Sequence, residues 1–306
     1  MTKVLIATVK PFAAAAVDQI KSVLDKAGYE SSFFERYSSQ DELIKAVADA
    51  DAMIVRSDKI TPEVINAAKN LKIVVRAGAG FDNVNLEAAT TNNVVVMNTP
   101  GQNSNAVAEL AIGMMIYQAR NHFNGTSGTE LKGKKLGIHA YGNVGRLVAN
   151  IAKGFGMEIF AFDPFIPKEK MEAEGVTVCD TAEELYAASD YISLHIPAND
   201  KTKKSINYNL LSNMKDGGVV INTARKEVID EIDLVTIMEE KTNFKYVSDI
   251  APDNKDLLKD KFGIRVFFSP KKMGAQTAEA NINAGIASAN QIIAFLEKGD
   301  TTFKVN

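Results

Sequence analysis

Two groups of residues in this chain have types and spacings suited to chemistry. The first is the stretch Leu136 to Asp163, LGIHAYGNVGRLVANIAKGFGMEIFAFD, which reads strand, glycine turn, helix, strand. Ala140-Tyr141-Gly142-Asn143-Val144-Gly145 fills a G-x-G-x-x-G slot with alanine in its first place. Gly142 lets backbone N–H groups approach a pyrophosphate, and Gly145 lets the following helix pack close to the strand. The helix N-terminus carries free N–H donors and a positive dipole end, which suit an anion. Asp163 stands about 20 residues past the glycines, where a carboxylate accepts hydrogen bonds from a ribose diol. It would repel a 2′-phosphate, and no arginine follows it, so the pattern favours NAD over NADP. A tight strand–helix turn in some other α/β sheet is the competing explanation, weakened by the flanking strand, helix and acid.

The second group is a pair of arginines, Arg56 and Arg76, each placed just past an apolar strand and beside a small residue, Ser57 or Ala77. Open α/β sheets bind ligands at the carboxyl ends of their strands. A lone arginine there would be a solvated surface charge. Two at equivalent strand ends point to a shared anion site, because planar guanidinium groups match carboxylate and phosphate oxygens bidentately. The expected ligand is doubly anionic.

The elements that must position these groups alternate along the chain. Val4–Val9 is strand-like, Ala13–Ala27 helical, and Ala52–Arg56 and Leu71–Arg76 are strands, the last leading into Ala77-Gly78-Ala79-Gly80. Asn98–Ser104 is rich in turn formers and marks a crossing between domains, and Ala106 to Ala119 reads as a long helix. A polar loop, 121–129, precedes the central stretch. Beyond Asp163 the pattern continues: helix 167–174, strand Val176–Val178, helix Thr181–Ala188, strand Tyr191–His195, helix Tyr208–Met214, strand Gly218–Asn222 and helix 230–239. Tyr246–Ile250 and Val266–Ser269 are the last strands, and a final helix, Ala280–Lys298, is expected to return to the N-terminal unit. Repeated βαβ units imply parallel, doubly wound sheets. The expected organisation is two α/β domains, a flavodoxin-like one from 1–97 plus 283–306 and a Rossmann one from 98–282.

The bulk properties fit this reading. The 306 residues are enough for about two domains with their own cores. A net charge of −3 gives no basic footprint for nucleic acid. No uncharged apolar run approaches the ~18 residues of a membrane span, and the first apolar run, cut off by Lys10-Pro11, is too short for a signal peptide. The one cysteine, Cys179, rules out an intrachain disulfide and a Cys-cluster metal site, so no metal is expected and a reducing cytoplasm is the expected home.

With these pieces placed, the chain resembles the D-isomer-specific 2-hydroxyacid dehydrogenases over nearly its full length, and among them the short D-3-phosphoglycerate dehydrogenases. The stretches that carry the likeness are Arg76-Ala-Gly-Ala-Gly-Phe-Asp-Asn-Val84, Asn98-Thr-Pro-Gly-Gln-Asn-Ser104, Phe162-Asp-Pro164, Ser193-Leu-His-Ile-Pro197 and Met214-Lys-Asp-Gly-Gly-Val-Val-Ile-Asn-Thr-Ala-Arg225. The resemblance implies that Arg225 is catalytic, its fork holding the substrate carboxylate and polarising the reacting carbonyl or hydroxyl. It places Arg56, Ser57, Arg76, Ala77, Gly78 and Asn103 on the substrate. It places Gly142, Asn143, Val144, Gly145, Asp163, His195, Pro197, Thr223, Ala224, Asp249 and Gly274 around NAD, with Asp249 beside the nicotinamide carboxamide. For His195 a purely structural role is an equal alternative. A homodimer is implied as well.

Three departures from the family pattern stand out. The family's acid/base histidine precedes Gly-Ala near the C-terminus, where this chain reads Ser269-Pro-Lys-Lys-Met-Gly-Ala275. Counting back from Gly274 puts Lys272 at that position; counting forward from Pro270 puts Lys271 there. Lys272 is preferred, since the glycine turn is the more rigid anchor. The carboxylate that orients the histidine is replaced by Asn254, with Asp253 one residue short. The 121–130 loop is shorter than in longer relatives, which leaves the oligomeric state open, and no regulatory domain follows the closing helix, so serine feedback is expected to be absent. A lysine has an ordinary pKa of ~10.4; partial burial and neighbouring cations would lower it, giving an alkaline optimum for oxidation.

The expected reaction is oxidation of 3-phospho-D-glycerate to 3-phosphohydroxypyruvate by NAD. Two alternatives stand beside it. One is action on another D-2-hydroxy acid such as glycerate, glyoxylate or hydroxypyruvate, and the other is a non-catalytic NAD(H)-binding module like the corepressors that share the fold.

Overall fold

The computed structural model describes all 306 residues. The chain divides into two compact units, Met1–Asn103 with Gln276–Asn306, and Ser104–Ala275. The expected cuts at 97/98 and 282/283 therefore move: the Asn98–Asn103 turn and the start of the last helix both go with the first unit.

The first unit is built on five strands: β1 (Lys3–Thr8), β2 (Glu30–Glu35), β3 (Ala52–Val55), β4 (Ile73–Arg76) and β5 (Val95–Asn98). Their order is β2-β1-β3-β4-β5, and every pair is parallel. Strand pleating sends successive side chains to opposite faces, so the sheet has two cores. Leu5, Ala7, Met53, Val55 and Val74 pack on one face, and Val4, Ile6, Ala52, Ile54 and Val75 on the other. The helix Ala278–Lys298 covers the second face and packs on the helix Ala14–Lys26. Gly285 makes that approach possible, since a Cβ there would lie 2.5 Å from Ile20 Cδ1. Val55 lies opposite Arg76 in the β3–β4 register, which places Arg56 and Arg76 together at the carboxyl edge.

The second unit carries seven parallel strands: β6 (Lys135–His139), β7 (Glu158–Phe162), β8 (Thr177–Val178), β9 (Tyr191–Leu194), β10 (Val219–Asn222), β11 (Lys245–Ser248) and β12 (Val266–Phe268). Their order is β12-β11-β10-β9-β6-β7-β8. β9 and β10 are buried along their whole length, as interior strands covered on both faces must be. The order reverses at β6, and such a switch point opens a crevice at the strands' carboxyl ends. Every cofactor residue expected from the sequence lies in this unit, on the segments that follow β6, β7, β9, β10, β11 and β12. No helix of the chain is long and apolar enough to cross a membrane.

The 121–129 segment differs from a plain polar loop. It opens with a single 3-10 turn, Asn121–Phe123, whose three residues all have left-handed backbone (φ 49, 56 and 56°). His122 stacks on Tyr117 with ring centroids 4.6 Å apart, which offsets part of the strain such residues carry.

Candidate active site

The glycine turn departs from β6 through Ala140, whose φ of +79° is the conformation a glycine would adopt without strain. Gly142 caps the helix Asn143–Gly154, and a Cβ built there would meet nothing within 4 Å, so the turn is open where a phosphate would approach. Gly145 is obligatory, because its Cβ would fall 2.3 Å from the Ala140 carbonyl oxygen and 2.9 Å from Ile138 Cγ2. The Asp163 carboxylate is tied to this turn. Its Oδ2 accepts the Tyr141 N–H at 2.7 Å, and its Oδ1 accepts the Phe165 N–H at 2.8 Å.

Below the turn lie two histidines on adjacent strands. His139 ends β6, and its Nδ1 is 3.1 Å from the buried Tyr186 hydroxyl. Burial pushes its pKa down to about 4, opposed by the charges of Asp163 and Glu183. His195 follows β9, with Nε2 2.9 Å from Ser193 Oγ, and its backbone N–H donates to the His139 carbonyl at 3.0 Å. Burial, reinforced by repulsion from His139, pushes its pKa down to about 3. Both rings are neutral near pH 7.

The loop after β10 carries Thr223, Ala224 and Arg225. Arg225 is half-buried, and its Nη1 donates to the Ala224 carbonyl at 2.9 Å. Lys272 Nζ donates to the same oxygen at 3.1 Å. Lys271 is exposed, and its backbone carbonyl accepts the Ser269 hydroxyl at 2.8 Å. Of the two lysines, it is Lys272 that the fold turns toward Arg225. Lys272 is exposed, not partly buried as expected from the sequence.

Asp249, fully buried after β11, completes the group. Its Oδ2 accepts the Gly274 N–H at 3.0 Å, while Oδ1 has no partner. Burial pushes its carboxyl above the ordinary range, opposed by the Lys272 charge, the Gly274 and Met273 N–H groups and Arg225. The Thr223 hydroxyl is a second buried group with no partner. Buried polar atoms are rarely left unpaired; an acceptor and a hydroxyl here suit the amide of a nicotinamide. Asp253, the acid one residue short of the family's orienting carboxylate, pairs instead with Lys226. The Asn254 N–H and Nδ2 are both held by Glu231.

In the first unit Arg56 is half-buried. Its Nη1 donates to the Lys10 and Pro11 carbonyls at 3.0 Å, its Nη2 meets Asn281 Oδ1, and the guanidinium carbon lies 5.0 Å from the Phe12 ring centroid. These partners are carbonyl and amide oxygens and a ring, not carboxylates, and burial lowers its pKa below the ordinary arginine value. Arg76 Nε donates to the Arg56 carbonyl at 2.9 Å. Its guanidinium folds over Gly78, where a Cβ would stand 1.6 Å from Arg76 Nη1. Gly78 itself has a φ of +147°, a conformation that favours glycine, while the flexible end of Arg76 can move aside from a side chain. Ala77 is buried, its N–H bonded to the Val55 carbonyl at 2.8 Å; Ser57 is exposed and Asn103 half-buried. Asn281 was not visible in the sequence as a site residue, because no spacing links it to Arg56 at a separation of 225 positions.

Comparison with known proteins places this geometry. The family model described as D-isomer specific 2-hydroxyacid dehydrogenase, NAD binding domain, matches residues 106–262. The hydroxypyruvate reductase of Thermotoga maritima is 37% identical over 83% of this chain and 87% of its own. The D-3-phosphoglycerate dehydrogenase of Methanocaldococcus jannaschii is also 37% identical over 83% of this chain, but over 51% of its own. The chain thus spans about half the length of the curated phosphoglycerate dehydrogenases it matches. A crystal structure of NAD+-bound 3-phosphoglycerate dehydrogenase from Entamoeba histolytica has 46% identity and a TM-score of 0.91, covering 100% of this chain and 98% of that one. The open turn at Gly142, the Asp163 carboxylate and the unpaired Thr223 and Asp249 atoms fit the cofactor of that family, NAD. The chain belongs to the D-isomer-specific 2-hydroxyacid dehydrogenases.

Proposed function

We propose that the chain interconverts 3-phospho-D-glycerate and 3-phosphohydroxypyruvate, with Arg225 gripping the substrate carboxylate and Lys272 acting as acid/base in place of a histidine. The observation that carries this reading is the convergence of Arg225 and Lys272 on the Ala224 carbonyl. A guanidinium and an ammonium side by side form a site for an anion whose reacting oxygen must gain or lose a proton. Bound NAD supplies the hydride acceptor. In oxidation a neutral Lys272 takes the C2 hydroxyl proton; in reduction its ammonium returns one to the carbonyl oxygen. Arg225 binds the carboxylate bidentately and stabilises charge developing on that oxygen. The family resemblance that puts Arg56 and Arg76 on the substrate makes these two guanidinium groups the proposed counter-charge for its phosphate.

The Thermotoga hydroxypyruvate reductase, matched along most of its length, favours a second reading: an unphosphorylated acid as substrate. Oxidation of NADH in the presence of 3-phosphohydroxypyruvate, hydroxypyruvate and glyoxylate separates the two. The first reading expects kcat/KM to be at least tenfold higher for the phosphorylated acid. Equal or better turnover of hydroxypyruvate would replace it with the second.

A further inference from the structure

The Ala224 carbonyl oxygen that gathers both cations is held in place from beneath. Asn222, the last residue of β10 and 1% exposed, uses its whole side-chain amide on the loop it precedes. Its Oδ1 accepts the Ala224 N–H at 3.0 Å. Its Nδ2 donates to the Arg225 carbonyl at 3.0 Å and to the Tyr246 hydroxyl at 3.1 Å. The amide orientation is fixed by its neighbours, since a flip would set N–H against N–H and oxygen against carbonyl. Tyr246 is buried on β11, and Ser248 Oγ, two residues further along that strand, donates to the Asn222 carbonyl at 3.0 Å. The result is a buried polar chain inside an apolar core, running from Tyr246 through Asn222 to the backbone of Ala224 and Arg225. Buried hydrogen-bond networks of this kind rigidify what they hold.

We propose that Asn222 and Tyr246 are positioning residues that set the Ala224–Arg225 backbone, and through it the shared placement of Arg225 and Lys272. This rests on the dehydrogenase reading above. Neither side chain is assigned a contact with substrate or cofactor; Tyr246 acts wholly through Asn222. A displacement of about 1 Å in groups that must meet a reacting atom costs on the order of a hundredfold in rate, so a core hydroxyl here acts on turnover as well as on stability.

The test compares wild type with Tyr246→Phe, which removes only the hydroxyl, and with Asn222→Ser, which removes the amide that joins Tyr246 to the loop. Melting temperature, NADH affinity by fluorescence titration, and kcat, KM and their pH profiles for 3-phosphohydroxypyruvate and hydroxypyruvate are measured on each. Tyr246→Phe is expected to keep its NADH affinity within about twofold while kcat/KM falls about tenfold, and Asn222→Ser to lose about a hundredfold. Because the loop that carries the Lys272 contact is displaced, the alkaline limb of the reduction profile is expected to move in both variants. A folded Tyr246→Phe protein with wild-type kcat/KM and an unmoved profile overturns the proposal, whatever its melting temperature, and leaves the dehydrogenase reading intact. Should that variant not fold, Asn222→Ser is judged by the same criteria. Wild-type protein that binds NADH yet reduces neither 2-oxo acid overturns the underlying reading and this one with it.

Discussion

Arg225 and Lys272 donate to one carbonyl oxygen, that of Ala224, at 2.9 and 3.1 Å. Two cations thus converge on one neutral acceptor, and the carboxyl of Asp249, which feels both charges, is pushed upward by burial against their pull. The arrangement asks for an anion. In the proposed mechanism Lys272 is the group that gains and loses the proton. Lys272→His, which restores the family's residue, is expected to keep measurable turnover while moving the ascending limb of the pH profile for hydroxy-acid oxidation down by several pH units. The ordinary values differ by about 4 units, ~10.4 for lysine and ~6.5 for histidine. A limb that stays in place would mean that some other group titrates there.

The glycine turn yields a paired prediction in opposite directions. Ala140 holds a φ of +79°, a left-handed conformation that costs a non-glycine residue about 1–2 kcal/mol, against about 0.5–1 kcal/mol for the added flexibility of glycine. Ala140→Gly should therefore leave the melting temperature unchanged or raised. Gly145→Ala drives a methyl to 2.3 Å from the Ala140 carbonyl oxygen, separating helix from strand, and should lower both melting temperature and NADH affinity. Equal effects of the two substitutions would contradict this account of the turn.

Arg56 should distinguish the phosphate from the carboxylate. Hydrogen bonds to a charged group are worth about 1.5–3 kcal/mol, so Arg56→Ala should lower kcat/KM for 3-phosphohydroxypyruvate by roughly 10- to 100-fold. Turnover of hydroxypyruvate should hardly change. Equal losses on both acids would assign Arg56 to the carboxylate instead.

The buried His139 gives a pH dependence of stability. Its folded pKa, about 4, lies below the ordinary 6.5, so the unfolded chain binds the extra proton first as pH falls. Its contribution is whole above pH ~6.5 and is lost as pH drops toward 4. At 1.36 kcal/mol per unit, this costs roughly 2 kcal/mol between pH 7 and 5. Urea midpoints should fall over that range and fall less in His139→Gln. A midpoint as steep in the variant as in wild type would assign the loss to other groups.

Much of the fold was legible because its strands are short apolar runs bounded by turn formers. β2, Glu30–Glu35, was not: its sequence ESSFFE has no apolar run, and its residues are only partly buried at the sheet edge. The helix Lys255–Phe262 was hidden by its charges, with only Leu258 and Phe262 buried. Site residues that lie on the glycine turn or at strand ends could be placed from local sequence. Partners brought in by tertiary folding could not: Asn281 on Arg56, the Ala224 carbonyl beneath Lys272, and Tyr246 behind Asn222 join segments whose spacing holds no signal. Asp253 shows the reverse error, a residue near the right position whose carboxylate is engaged by Lys226.

The central claim is that Lys272 carries the proton in an NAD-dependent dehydrogenase. Its most direct test is the pH-rate profile of NADH oxidation by 3-phosphohydroxypyruvate for wild type, Lys272→Ala and Lys271→Ala. The account predicts a loss of 10²–10⁴-fold for Lys272→Ala, the usual worth of a general acid/base, with the alkaline limb abolished and NADH affinity retained. Lys271→Ala should stay within about threefold of wild type, since a solvated surface cation carries little of the chemistry. Wild-type turnover and an intact alkaline limb in Lys272→Ala would contradict it.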